Sequence, residues 1–444
     1  MSMDKKKPLK TIIKLLITFL IAFFLGATLI IAVFNIPIEQ IRKNASESAA
    51  VFAEEGVYPK LYRNTTSTLD NFTDALMILN AINDTNESVI NRAMNVYQYD
   101  FTKDGAVNAL LNYFSGADSK PETTTYARYW HGYLVLLKPA LFFTTYSNIR
   151  KINLLLHICL LLTISLFWIK LKKPLYIVPF LLSYGSIMPI ANAYSMQFAT
   201  CAYIILISVL ILLIKNAKWK EKKDGYYICF LLVGMATSYF DYFTYPATTF
   251  GVLIVVYLVL NADAANPFEA ILDIVRNGFV WVIGYAGMWI SKWVLASVLL
   301  NKDFIKAGIG AANSRSSLNS NSEMGEYSLG LVIKINFNNW TNSPITQLLI
   351  IFVIVAFLYV ILRGKDVAIR NSIFIFLPIM LIPFVWYICI GNHSFVHNWF
   401  TYKELIIFGF VLSCIPIYAL ENVDHPALRK NLKKEKINKN KNHK

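Results

Sequence analysis

Residues able to do chemistry gather in six short clusters. They are Glu54-Glu55-Gly-Val-Tyr58-Pro59, Asp70 to Asp74, Arg128-Tyr129-Trp130-His131, Asn192 to Gln197, Tyr239 to Pro246 with Asp241 and Tyr245 inside it, and Asn392-His393-Ser394 through His397-Asn398-Trp399 to Lys403-Glu404. Each sets a carboxylate, imidazole, amide or cation beside aromatic rings. Trp and Tyr at helix ends ordinarily form the aromatic belt of a membrane protein, but a belt does not explain the polar partners that recur beside them. The combination suits transfer from a phosphorylated donor: a carboxylate takes the acceptor hydroxyl proton, cations meet the charge of the departing phosphate, and flat rings face a sugar.

Lys292 stands apart, some eight residues inside an apolar stretch. A lysine at such depth costs on the order of 2.5–3.5 kcal/mol on insertion scales. It either snorkels to the headgroups or meets a lipid-borne phosphate between helices. Gly284, Gly287 and Ser291 form a small-residue stripe nearby that lets a neighbour approach closely.

Hydrophobic residues make up 56% of the 444 and charged ones only 16%, too apolar for a soluble domain of this length. Apolar stretches near 11–34, 150–170, 175–193, 198–214, 226–240, 246–261, 279–300, 347–363, 372–390 and 403–420 predict an all-α polytopic membrane protein of about ten transmembrane helices. The net charge of +15 does not indicate nucleic acid, because Lys and Arg concentrate at 5–10, 170–173, 215–223, 363–370 and 429–444. Every second connection is basic, which places both termini in the cytoplasm and the chain in the plasma membrane as a multi-pass protein. Residues 132–147 form a further apolar stretch. A crossing there would turn the lysines at 215–223 outward, so it reads as an interfacial helix broken at Lys138-Pro139.

The organisation expected is a cytoplasmic N-terminus with the first span over 1–34, an outer loop over 35–149, spans two to seven over 150–300, a second outer loop over 301–346, spans eight to ten over 347–420 and a basic cytoplasmic tail over 421–444. Within the first loop, Leu69, Phe72, Leu76 and Leu79 make one helical stripe beside Asp70 and Asp74. The second loop, rich in Ser, Asn and Gly, reads as mobile. Pro267 opens a short amphipathic helix in the connection 262–278. All five cysteines fall in apolar stretches, so no disulfide framework is expected. No internal repeat, glycine-rich phosphate loop, HExxH, GxSxG or paired CxxC occurs.

With the acidic clusters placed in a large first outer loop behind one anchoring helix, the chain resembles the GT-C superfamily of membrane glycosyltransferases. The resemblance implies transfer of a sugar from a polyprenyl-phosphate carrier to an extracytoplasmic glycan or polymer of the cell envelope, with membrane lipid as the surroundings. It implies a catalytic acid residue in the first loop, for which Asp74 leads and Glu54 and Glu55 compete. Phosphate contacts then fall to Arg128, His131, Lys292, Lys403 and His397. Contacts to acceptor or sugar fall to Asp70, Trp130, Asp241, Tyr245, His393 and Trp399. No cofactor is specified; Asp70, Asp74, His393 and His397 could hold a divalent cation, although their spacing does not define a site. Two other classes fit the same pattern: a transporter or flippase of a lipid-linked glycan or small molecule, and a non-enzymatic envelope-assembly protein.

Overall fold

A computed structural model describes residues 6–100, 105–115, 123–263, 266–316, 328–363 and 366–422; the lysines of the C-terminal tail lie outside them. The described chain is almost wholly helical, its one ladder pairing Gln98-Tyr99 with Thr123-Thr124. Among the described residues, seven helices are long and apolar enough to cross a membrane: Pro8–Val33, Tyr146–Lys170, Met196–Glu221, Pro267–Leu300, Pro344–Leu362, Ala368–Cys389 and Asn398–Asn422.

Three of the ten expected spans take another form. The stretch 175–193 breaks after Gly185, where Met188 adopts a left-handed conformation (φ 57°), and resumes as the short helix Pro189–Tyr194. Asp224–Phe240 has 17 residues and Ala247–Asn261 has 15, about 25 and 22 Å at the usual helical rise and short of a full hydrocarbon thickness. Ala247–Asn261 is buried from Ala247 to Leu260, so neighbouring helices and not lipid surround it. Its length need not match the bilayer.

Polar contacts sort the connections onto two ends of the bundle. At one end Lys14 meets Asp224 at 2.5 Å, Lys173 meets Glu421 at 2.6 Å, and the Tyr226 hydroxyl donates to Asn216 (2.7 Å) and Asn261 (3.1 Å). At the other, Tyr239 donates to the Gly26 carbonyl (2.7 Å), Glu404 accepts from the Ala247 amide (3.1 Å), and Asn392 donates to the Ser314 carbonyl (3.0 Å). The basic connections around 173 and 215–223 therefore share an end, opposite the loops that carry most of the polar clusters. Leu134–Phe143 is a ten-residue helix with Pro139 inside it, too short to cross. Its buried Lys138 donates to the Ala81 carbonyl at 2.7 Å, tying it to the first loop.

Helices Asp224–Phe240 and Pro267–Leu300 make backbone-close contact. A Cβ on Gly234 would lie 2.2 Å from the Trp281 carbonyl oxygen, and one on Gly284 2.3 Å from that of Leu231. The small-residue stripe thus serves helix packing.

Other expectations shift. Helix Asn71–Ile82 is buried on nearly every side, because Ile38–Glu55, Gly105–Ser115 and Leu134–Phe143 all pack on it. The loop 301–346 contains helices Phe304–Ser316 and Leu329–Thr341, with 317–327 outside the described residues. Pro267 opens no separate amphipathic helix but the first turn of the 34-residue span, capped by Asn266.

Candidate functional site

Two acidic residues of the first loop, Glu55 and Asp74, gather around Arg150, at the start of helix Tyr146–Lys170. Its guanidinium donates to Glu55 (2.7 Å), Asn71 (2.9 Å) and the Tyr146 hydroxyl (2.8 Å). Asp74, fully buried, sits beyond Tyr146. Its Oδ2 accepts from the Tyr146 hydroxyl (2.5 Å) and the Met196 amide (2.9 Å), its Oδ1 from the Gln197 amide (3.0 Å) and the Ser195 hydroxyl (3.3 Å). Four donors fill both oxygens. Asp74 therefore caps the N-terminus of helix Met196–Glu221, where two free amides and the helix dipole favour a negative charge. Burial pushes its carboxyl up, while those hydrogen bonds and Arg150 pull it down.

Asp70 is placed differently. It caps helix Asn71–Ile82, accepting from the amide (2.9 Å) and hydroxyl (3.1 Å) of Thr73. Burial, opposed by the Thr73 bonds and reinforced by the Asp74 charge, pushes its carboxyl up to about 7, the range suited to a general base. Burial and the Asp70 charge both push the neighbouring Tyr58 phenol up. Glu54 is exposed on the last turn of Ile38–Glu55.

From Tyr58 a line of ring contacts crosses this end of the bundle. Tyr58 meets Trp399 (centroids 5.2 Å apart), Trp399 meets His397 (5.1 Å), His397 meets His393 (4.6 Å) and His393 meets Phe243 (4.8 Å). Phe243 contacts Trp289, which packs edge-on against Tyr129, itself stacked on Tyr242 at 5.3 Å. Two half-buried guanidiniums flank this second part: Arg128 lies 4.6 Å from the Tyr126 ring and 5.5 Å from Tyr129, and Arg315 lies 5.4 Å from Tyr129 and 4.9 Å from Phe243. Neither has a carboxylate partner among the described residues.

Burial keeps the histidines along the line neutral. His131 approaches the Tyr126 carbonyl with Nε2 (3.0 Å) and the Tyr133 hydroxyl with Nδ1 (3.1 Å), so Nε2 carries the proton. Burial pulls His131 down to about 3 and His397 to about 4, and His393 also falls well below its ordinary value. They cannot supply the positive charge expected of them.

Beside this line opens an apolar groove of about 660 Å³ between helices Tyr146–Lys170, Met196–Glu221, Asp224–Phe240 and the short Leu134–Phe143. Met77, Tyr133 and Met196 line one end and Trp219 the other. That separation on one helix is 23 residues, about 35 Å of rise, comparable with a bilayer's hydrocarbon core. Polar lining groups are engaged elsewhere: Tyr203 donates to Asn153 (3.0 Å), and Thr200 to Asp241 (3.2 Å). Tyr133 belongs to both features, since its ring contacts Tyr242 and His131.

Of the residues singled out in sequence, Arg128, His131, His393, His397 and Trp399 meet along the ring line. Glu55, Asp70 and Asp74 lie at its Tyr58 end. Glu54 is exposed, and the rest are occupied inside the bundle. Lys292 is fully buried, donating to the Met94 carbonyl (2.8 Å) over the Trp130 ring, and so reaches neither lipid nor the headgroups. Lys403 donates to the Ile187 carbonyl and Asn192 (both 2.9 Å). Trp130 donates to the Met288 carbonyl (2.6 Å), Tyr245 to that of Phe198 (2.6 Å), and Asp241 caps a turn through the Thr244 amide (2.9 Å). Among the described residues no three His, Cys, Asp or Glu side chains form a cluster able to hold a metal ion, so Asp70, Asp74, His393 and His397 do not make one together.

Sequence reading missed Arg150, Tyr146 and Arg315. An arginine at the very edge of an apolar stretch was the available signal for Arg150, whereas nothing marked Arg315 among the loop residues. No protein-family model, curated protein or solved structure matches the chain.

Proposed function

We propose that this protein is a plasma-membrane glycosyltransferase of GT-C type, moving a sugar from a polyprenyl-phosphate carrier to an extracytoplasmic envelope acceptor. The supporting observation is the adjacency of two features: a lipid-accessible apolar groove of bilayer length, and a ring-lined run flanked by two guanidiniums without carboxylate partners. The carrier chain lies in the end of the groove near Tyr133, its phosphate faces Arg128 and Arg315, and the acceptor lies along the rings toward Tyr58. Asp70 takes the acceptor proton in place of Asp74, whose oxygens are filled. The ten spans of this reading count the three shorter segments as crossing within the bundle.

A second reading, transport of a lipid-linked glycan, draws support from the groove's running the whole length of the bundle. Transfer assayed with the purified protein, a polyprenyl-phosphate sugar and a soluble acceptor separates the two. Under the enzyme reading Asp70→Asn lowers the rate by about 10²–10⁴ with carrier binding retained, and wild-type activity rises with pH through about 7 as Asp70 loses its proton. The stability linked to Asp70 has the opposite trend, full below about pH 4 and lost as pH rises through about 7. Undiminished transfer in Asp70→Asn, Glu54→Gln and Glu55→Gln alike would sink the mechanism.

The orientation is tested in intact cells. Single cysteines at Glu54 and Asn398, in a background without native cysteines, should react with an impermeant thiol reagent, and one at Lys220 should not. Labelling at position 220 before lysis would reverse the assignment.

A further inference from the structure

The groove's other end has chemistry of its own. On helix Met196–Glu221 its lining follows Thr200, Ile204, Ile207 and Ile211, then Trp219, in steps of three, four or eight residues that keep to one helical face. Lys215 and Lys218 continue that face between Ile211 and the helix end, and Lys222 follows directly. All three lysines are exposed, and none has a carboxylate partner among the described residues. Lys220 and Lys223 add to the charge. Of the acidic groups beside them, Asp224 is taken by Lys14 and Thr11, leaving Glu221 exposed at the helix end. Trp219 is held in place from behind: a Cβ on Gly225 would come within 2.2 Å of its ring, and Tyr226 packs edge-on at 5.6 Å.

An apolar trough that runs into a patch of free lysines, with a tryptophan at the junction, matches a lipid in both chain and head. We propose that this end of the groove binds an anionic phospholipid of the adjoining leaflet, one acyl chain along Ile211, Ile228 and Leu232 and its phosphate against Lys215 and Lys218. The charge complementarity selects an anionic headgroup over a zwitterionic one, and the trough requires a chain. Inorganic phosphate alone lacks the part that the groove recognises. This site does not depend on the transfer reaction and lies at the opposite end from Arg128 and Arg315.

The test uses the purified full-length protein in bilayer discs containing lipids brominated on their acyl chains, with Trp219→Phe as the difference sample because the chain has nine tryptophans. Brominated phosphatidylglycerol should quench the Trp219 share of the fluorescence at a lower mole fraction than brominated phosphatidylcholine. The preference should amount to about fivefold per engaged lysine. In Lys215→Gln/Lys218→Gln/Lys222→Gln, all on the surface, quenching by the two lipids should become equal. Leu232→Phe, which fills the trough, should reduce quenching by both. Equal quenching in the wild type, a preference that survives the triple variant, full quenching in Leu232→Phe, or release of the lipid by millimolar inorganic phosphate would each overturn the proposal.

Discussion

Arg128→Met combined with Arg315→Met is expected to weaken binding of a polyprenyl phosphate to the purified protein by roughly 10²–10⁴. Each hydrogen bond between a guanidinium and a phosphate contributes about 1.5–3 kcal/mol. Methionine retains much of the apolar stem that packs on the rings, so the loss reports charge and hydrogen bonding more than collapse of the cluster. Because both side chains lie over Tyr129, the single variants should not add to the double one. Lysine at either position keeps the charge but not the planar stack, and should restore only part of the affinity. For a polyprenyl-phosphate sugar, a diester whose charge is constant over this range, wild-type affinity should stay flat from about pH 5 to about pH 8, since burial keeps His131 and His397 neutral throughout. Affinity that climbs as pH falls through about 6.5, or a double variant that binds as well as the wild type, would remove the arginines from the site.

Asp74→Asn should act on folding. The amide oxygen can accept from one side, but its NH₂ group must then face donors, the Tyr146 hydroxyl and Met196 amide or the Gln197 amide and Ser195 hydroxyl. It also removes the negative charge beside Tyr146, leaving Glu55 as the carboxylate on Arg150. Taking one partner from a buried charged network costs about 3–5 kcal/mol, so the variant should melt well below the wild type in detergent, or fail to accumulate. Asp70→Asn, whose oxygens bond only to Thr73 within its own helix cap, should change stability by less than about 0.5 kcal/mol, because asparagine caps a helix N-terminus about as well as aspartate. The comparison separates structure from chemistry. A stable Asp74→Asn protein that binds carrier and no longer transfers sugar would return the catalytic role to Asp74.

Much of the architecture is legible in the amino-acid order because the bilayer imposes its requirements locally. Apolar length, Pro139 inside a short stretch, Pro267 at a helix start and the alternation of basic connections each report a property of one segment against its solvent. The same local logic locates the polar clusters at helix ends. It stops at the partner of each buried group. Asp74 is satisfied by amides more than 120 positions away, Lys292 by the Met94 carbonyl 198 away, and Tyr402 by the Thr66 carbonyl 336 away. A carboxylate that caps a distant helix and one that caps its own have identical sequence signals, since both are acidic residues on an apolar helix.

Only the packing distinguishes them, by filling the four acceptor positions of Asp74 and fewer of those of Asp70. The ring line has the same origin: Tyr58, His397 and Phe243 come from three distant segments, and their order in space follows from how the helices dock. The groove is likewise a gap between four elements, each of whose lining residues reads in sequence as an ordinary lipid-facing side chain. Composition and periodicity thus marked which segments are apolar enough for a membrane, because apolar length is a property of one chain segment at a time. The tertiary structure alone decided which polar groups were spent on one another, because a hydrogen bond or an ion pair needs two partners and the second is set by docking.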